Sequence, residues 1–504
     1  MQFERSSENL GGRVLKGAGF LVAGRLIVRS FSLISIAVLG RLLTPDDFGI
    51  VALAMTVVGL LGAVSDLKIG GALVALDNID RRHLDTGFTI NILRGALIAG
   101  IMLAIAEASA AWFDTPELAI VLRVLSVALL IEGFANPAFI LFQRNVDFSK
   151  EFSRQAIAGI GSGLLLVAAA FYFRSYWAVI VGTIAQYSLN CLMTYWRIEY
   201  RPRLSLSMWR DFLGFSGWMS VHGLLMKLSA EAPKILIARM LSVTTLGYFS
   251  IARETAGLTL NEVLTPIRRT LLPGFGAIKD DAVRLRRTFL EAQQSIVGIT
   301  TPVAVGMALL APEVLTLLVG AKWLPSTLMM QTLILGMALA LIGTATNPVL
   351  VALGRFQEMV TRAVVGSIVL WAGIPIGIYY YGLNGALAVI VINQAIALIL
   401  NASLVARHAG IPFLAQTFGP WRTYLSAGLM AAVILAIRPV FDPATPFLDV
   451  IFERALPFSL LGAAIYVVSH AALWYLAGRP AGFESNILHY GGAALSGVKW
   501  RLKR

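Results

Sequence analysis

The residues best placed to do chemistry in this 504-residue sequence are a few charges set inside long apolar runs. Arg25 and Arg29 are four apart, so on a helix they share one face. Lys227, Glu231 and Lys234 continue the pattern: Lys227 and Glu231 lie one turn apart, and Lys227 and Lys234 two turns apart on one face. Arg253, Glu254, Asn261 and Glu262 follow in the next apolar run, and Arg94 sits in an earlier one. A guanidinium is a planar fork that holds a phosphate through two bonds at once, while an ammonium acts as a compact positive charge. A cavity lined by Arg25, Arg29, Lys227, Lys234 and Arg253 would therefore hold an anion. Glu231, Glu254 and Glu262 are the groups that would couple a proton or Na⁺. The same spacings read equally as ion pairs that lock helices together, such as Lys227–Glu231 or Arg253–Glu254. Both readings stay open from the sequence.

No catalytic set stands beside these charges. The five histidines (His83, His222, His408, His470 and His489) show no metal-ligand spacing, and His222 reads as structural. Cys191, the one cysteine, excludes an internal disulfide and any multi-cysteine metal site. No phosphate-binding glycine loop of the Walker kind is present, so ATP is not the expected energy source. The sequence predicts no enzyme, no metal and no cofactor.

The elements that must position these charges are membrane helices. Apolar and aromatic residues make up 57% of the chain and charged residues only 14%, against about 25% charge in an average soluble domain. That composition excludes a soluble enzyme and a disordered chain. Apolar windows fall at 17–40, 48–74, 86–111, 117–141, 153–174, 177–198, 213–238, 245–267, 289–319, 327–352, 361–381, 384–406, 421–438 and 455–477. Each is near the roughly 20 residues a spanning helix needs. The expected fold is thus an all-α polytopic membrane protein of about 14 spans, with connectors too short for an inserted domain. Thr44-Pro45-Asp46-Asp47 reads as the capped start of the second helix. Pro233 reads as a break in the seventh, and broken helices recur at transporter binding sites. Residues 1–16 mix acids and bases without a small-residue cleavage site, so the first span is expected to remain as an anchor.

The net charge of +13 follows from orientation and calls for no nucleic acid. With both termini cytoplasmic, about 28 of the 41 Lys and Arg fall on inner segments and about 6 on outer ones. The remaining 7 or so lie within spans. Arg29 lies about 18 Å into the bilayer at 1.5 Å per residue. A central arginine costs at least about 2.5–3.5 kcal/mol, so it must face water or a partner.

Two stretches repeat at an offset of 198. RLLTPDDFGIVALA (41–54) aligns with RMLSVTTLGYFSIA (239–252), matching Arg41 to Arg239, Gly49 to Gly247 and Ala54 to Ala252. NPAFILFQR (136–144) aligns with NPVLVALGR (347–355) at an offset of 211. Spans 1–6 and 7–12 thus read as a parallel repeat, giving a division into 1–204, 205–412 and 413–504. Such repeats belong to transporters that rock two lobes about a central site. The 198 offset sets Lys227 on Arg29.

The runs GRLLTPDDFGIVALA (40–54) and SDLKIGGALV (65–74) resemble Wzx-type polysaccharide flippases, in the branch of the colanic acid exporter. ARMLSVTTLGYFSIA (238–252), PIRRTLLPGFGAIKDD (266–281) and LLVGAKWLPS (317–326) carry the resemblance to about residue 410. It implies membership of the multidrug/oligosaccharidyl-lipid/polysaccharide exporter superfamily and a V-shaped pair of six-helix lobes. It implies two extra C-terminal helices, which form a groove with span 1 for a lipid tail. It also implies a substrate: an undecaprenyl-diphosphate-linked oligosaccharide, flipped across the bacterial inner membrane for exopolysaccharide or lipopolysaccharide synthesis. The expected partners are that lipid-linked substrate, membrane lipids, and a polysaccharide polymerase with its export machinery; the chain is expected to be a monomer. Three competitors remain. A peptidoglycan-precursor flippase is chemically close. A multidrug cation antiporter of the same superfamily calls for an acidic or neutral cavity. A membrane glycosyltransferase or polymerase calls for a large outer loop, and 439–454 is too short for one.

Overall fold

A computed structural model describes residues 31, 33–64, 79–144, 148–196, 198–210 and 218–480. The described residues are mainly helical and include no strand. The chain forms two compact units, Met1–Gly247 with Leu318–Gly320, and Tyr248–Leu317 with Ala321–Arg504.

In the first unit the helices are α1 (Leu33–Leu42), α2 (Pro45–Val64), α3 (Arg81–Phe113), α4 (Glu117–Gly133), α5 (Ile140–Arg144), α6 (Phe148–Phe173), α7 (Trp177–Met193) and α8 (Trp218–Met240). α3 packs on α4, α6 on α7, α4 on α7, and α2 on both α4 and α8. Next comes α9 (Val243–Ala277), whose first turn belongs to this unit. The second unit holds the rest of α9, α10 (Ala282–Leu309), α11 (Ala311–Leu318, its last residue in the first unit), α12 (Thr327–Leu341), α13 (Thr346–Ala352), α14 (Phe356–Ala409), α15 (Phe413–Phe418), α16 (Trp421–Ile437) and α17 (Leu456–Leu476).

Each apolar window overlaps a helix where the structure describes it. Among the described residues six helices are long and apolar enough to cross a membrane, or seven if one bent pair counts as a span. Large apolar side chains stand outward along them, as at Leu97, Leu164, Ile368 and Leu460. Water would penalise so continuous a surface, whereas lipid solvates it.

Several windows differ in detail. The one at 289–319 is two helices, α10 and α11, bent by 78° where Leu310 leaves the helical region. The one at 117–141 stops at Gly133, and a 3₁₀ turn at Pro137–Phe139 follows. Its repeat partner breaks likewise between α12 and α13, just before Asn347-Pro348. The Asn136 side chain accepts from the Ala138 N–H at 3.0 Å, which explains an asparagine before the proline. α14 runs for 54 residues but turns at Gly382, whose φ of 57° and ψ of −139° only glycine adopts without strain. Its two halves meet at Gly377 and Gly385, where added side chains would strike backbone. Tyr379, Tyr380 and Tyr381 stand exposed beside that turn, as an interfacial aromatic belt does.

The cap at Thr44 is reciprocal. Thr44 N–H donates to Asp47 Oδ2 at 2.9 Å, and Asp47 N–H donates to Thr44 Oγ1 at 3.2 Å. The repeat partner at Ser242 caps α9 in the same place: its Oγ accepts from Thr245 N–H at 3.0 Å. The two capped turns also touch. An added Cβ on Gly49 would strike the Val243 carbonyl, and one on Gly247 the Pro45 carbonyl. The Thr244 hydroxyl donates to the Asp46 carboxylate. At the 198 offset Pro45 is equivalent to Val243, Asp46 to Thr244 and Gly49 to Gly247.

The segment after α7 is pinned along the start of α3. Arg203 N–H donates to Asp85 Oδ1 at 2.8 Å and Ser205 N–H to Thr89 Oγ1 at 2.8 Å. The Tyr200 hydroxyl also donates to Asp85. In the second unit, Met430, Ile434 and Tyr466 of α16 and α17 pack against Val305 and Leu309 of α10. Tyr466 donates its hydroxyl to the Gly298 carbonyl at 2.6 Å.

Candidate functional site

The candidate charges converge where α8 lies on α2. Glu231 is buried in this contact, with 5% of its side chain exposed. Lys227 Nζ sits 2.9 Å from Glu231 Oε1, and Lys234 Nζ sits 2.8 Å from Oε2. From α2, the Thr56 hydroxyl donates to Oε2 at 3.0 Å. Both carboxylate oxygens are thus engaged, which a buried carboxylate requires.

The lysines differ. Lys227 is 38% exposed and Lys234 22%, so Lys227 offers its remaining donors more openly. Gly59 of α2 faces it, and a Cβ there would come within 2.8 Å of Nζ and 2.9 Å of Cε. Two ammonium groups thus meet one carboxylate among the described residues. Lys227 lies 13 residues before the end of α8, about 20 Å along the helix. Thr56 lies 11 residues into α2, about 16 Å from its start. α2 is among the helices long and apolar enough to cross a membrane, which sets Thr56 near the middle of a hydrocarbon core of about 30 Å.

Helical spacing accounts for the local part of this arrangement. Residues three and four apart face each other, so Glu231 reaches Lys227 behind it and Lys234 ahead of it. Pro233 does not break α8, as the sequence suggested, because the helix is continuous from Trp218 to Met240. A proline removes one backbone donor, and packing of buried Glu231, Ala232 and Pro233 against neighbours holds the turn.

Lys227, Glu231 and Lys234 are the predicted site residues that the structure brings together. Arg253 and Glu254 lie on α9 in the second unit, with Glu254 exposed. Arg25 and Arg29 lie outside the described residues, and so does the side chain of Glu262. Arg94 of α3 reaches Glu132 of α4 at 3.8 Å. Among the described residues no group of three or more His, Cys, Asp or Glu is placed to hold a metal.

Sequence reasoning missed Thr56 and Gly59. A signal for Thr56 was present, because the 198 offset sets it on Glu254, so both copies carry a polar residue there. It also missed Glu313 of α11, which is fully buried and held by Arg438 Nη2 at 2.8 and 2.7 Å. Arg438 had counted only as an outer-loop charge.

A family model described as "polysaccharide biosynthesis protein" matches residues 38–328, which include all of this site. The chain belongs to the polysaccharide biosynthesis protein family. It is 23% identical to the succinoglycan biosynthesis transport protein ExoT of Rhizobium meliloti over 459 residues, which cover 90% of this chain and 92% of the relative. It is 23% identical to the lipopolysaccharide biosynthesis protein WzxC of Escherichia coli over 355 residues, 69% of this chain and 71% of the relative. Among solved structures, the lipid II flippase MurJ in an inward closed conformation aligns with a TM-score of 0.74 at 13% identity, covering 91% of this chain and 99% of that one. An inward-facing MATE family transporter of the MOP superfamily aligns at 0.63 and 16% identity, covering 75% and 94%. This member of the polysaccharide biosynthesis family is therefore a multi-pass helical membrane protein with the fold those transporters share.

Proposed function

We propose that the chain is a flippase that carries an undecaprenyl-diphosphate-linked oligosaccharide from the inner to the outer leaflet by alternating access. The observation that carries this reading is the Lys227–Glu231–Lys234 cluster, two lysines on one buried carboxylate packed against a membrane-length helix in a polysaccharide biosynthesis protein. Lys227 and Lys234, with Arg25, Arg29 and Arg253, bind the diphosphate. The sugars occupy the wet cavity and the polyprenyl tail stays in lipid. An inside-negative potential favours outward movement of the anionic head by about 2.3 kcal/mol per charge per 100 mV. Glu254 and Glu262 are the groups for ion coupling, and no catalysis is required.

The working division is 1–204, 205–412 and 413–504, in a bacterial inner membrane with both termini cytoplasmic. A polysaccharide polymerase and export machinery would receive the product, and the chain acts as a monomer. A cation antiporter fits less well, since the cluster sets two lysines against one carboxylate. The test replaces Lys227 and Arg29 singly by alanine in cells that depend on this chain for surface polysaccharide, with protein levels checked. Export should fall in both variants. Full export in both would overturn the diphosphate reading.

A further inference from the structure

Resting on that reading, we propose that Glu231 is an internal stand-in for the substrate's anion. It holds Lys227 while the site is empty, and the arriving diphosphate takes Lys227 from it. The geometry divides the cluster into a fixed part and an arm. The fixed part is Glu231 Oε2, which accepts from both Thr56 and Lys234. The arm is Lys227, which among the described residues meets Oε1 and is the more exposed of the two lysines. When Lys227 turns to a phosphate oxygen, the carboxylate keeps two donors and is never an unpaired buried charge, the state that costs most.

Gly59 supplies the space for this movement. A Cβ at Gly59 would lie 2.8 Å from Lys227 Nζ and 2.9 Å from Cε, so a side chain there would push the end of the lysine from its present place. Thr56 and Gly59 are therefore positioning residues. They sit one turn apart on α2, one anchoring the carboxylate and the other clearing the arm. The exchange also explains how the site releases its cargo. Two bare lysines at membrane depth would bind a diphosphate tightly and hold it, whereas passage requires binding weak enough to reverse. Glu231 competes for Lys227 and so weakens the bound state while stabilising the empty one.

The experiment uses the full-length protein in lipid nanodiscs, with undecaprenyl diphosphate as probe and inorganic pyrophosphate as competitor. Equilibrium affinity and dissociation rate are measured. Glu231→Gln keeps the shape and the Thr56 bond but removes the competing charge. Its affinity should rise about tenfold or more, the worth of one charge-assisted hydrogen bond no longer displaced. Its dissociation should slow in proportion, and export in cells should fall. Thr56→Val leaves all three charges in place but removes the anchor that holds Glu231 when Lys227 departs, so the probe should bind more weakly. Opposite shifts in these two variants support the exchange, because a merely structural role would move both the same way or neither. Unchanged or weaker binding by Glu231→Gln overturns it, provided the variant elutes as a folded monodisperse protein. If that variant does not fold, unchanged binding by Thr56→Val overturns it. Lys227→Ala separates the two readings. If it loses binding while Glu231→Gln gains none, only the exchange fails. If it binds as the wild type does, the anion site fails and the exchange with it.

Discussion

Replacing Gly247 by alanine should pry α9 from α2 at their capped ends. The added Cβ would overlap the Pro45 carbonyl oxygen and lie 2.8 Å from its carbonyl carbon and 3.2 Å from the Gly49 nitrogen. All three are backbone atoms, so no side chain can turn aside to make room. Restoring ordinary contact requires the helices to part by about 1 Å. Forced overpacking of this kind costs about 1–3 kcal/mol, which shifts an equilibrium by about 5–150-fold. Gly49→Ala should act alike, since its Cβ would overlap the Val243 carbonyl oxygen and lie 2.8 Å from the carbonyl carbon. The assay is oxidative cross-linking of Asp46→Cys with Thr244→Cys, whose side chains touch in the native protein. Cys191→Ala removes the remaining thiol. The disulfide should form readily with glycine at both positions and at least about fivefold more slowly with alanine at either. Equal rates in all three backgrounds would refute the reasoning that backbone contact at these glycines sets the helix spacing.

Two further outcomes concern the frame around the site. Burial, followed by the hydrogen bond to Asp85, pushes the Tyr200 phenol above its ordinary value. The bond therefore stabilises fully below the phenol's unfolded pKa of about 10 and fades as pH rises through the raised folded value. Tyr200→Phe should cost about 1–2 kcal/mol, allowing for partial exposure, with no change between about pH 7 and 9 and a smaller difference above 10. Thermal unfolding in detergent across that range checks it. Glu313→Gln removes the buried carboxylate that holds the largely covered Arg438 and should cost about 3 kcal/mol. Glu313→Leu with Arg438→Met should recover part of that loss in the same measurement, with Arg454, 3.8 Å from Glu313 in the native protein, keeping its bond to the Val440 carbonyl.

The sequence by itself determined what is local. Hydropathy located the helices, since about 20 apolar residues must satisfy their own backbone in lipid. The Thr44 cap, the turn near residue 382 and the Lys227–Glu231 pair were also legible, each being set by residues within four positions of one another. The meeting of Asp46 with Thr244 and of Gly49 with Val243 was not legible. Only the tertiary structure decided which helix faces which. Thr56 reaches Glu231 across 175 residues, and Arg438 reaches Glu313 across 125. Helical periodicity says which residues share a face. In a membrane every face is apolar, so hydropathy does not tell the face that meets lipid from the face that meets another helix. Small residues and rare charges make that choice, and their partners become known only when the helices are packed.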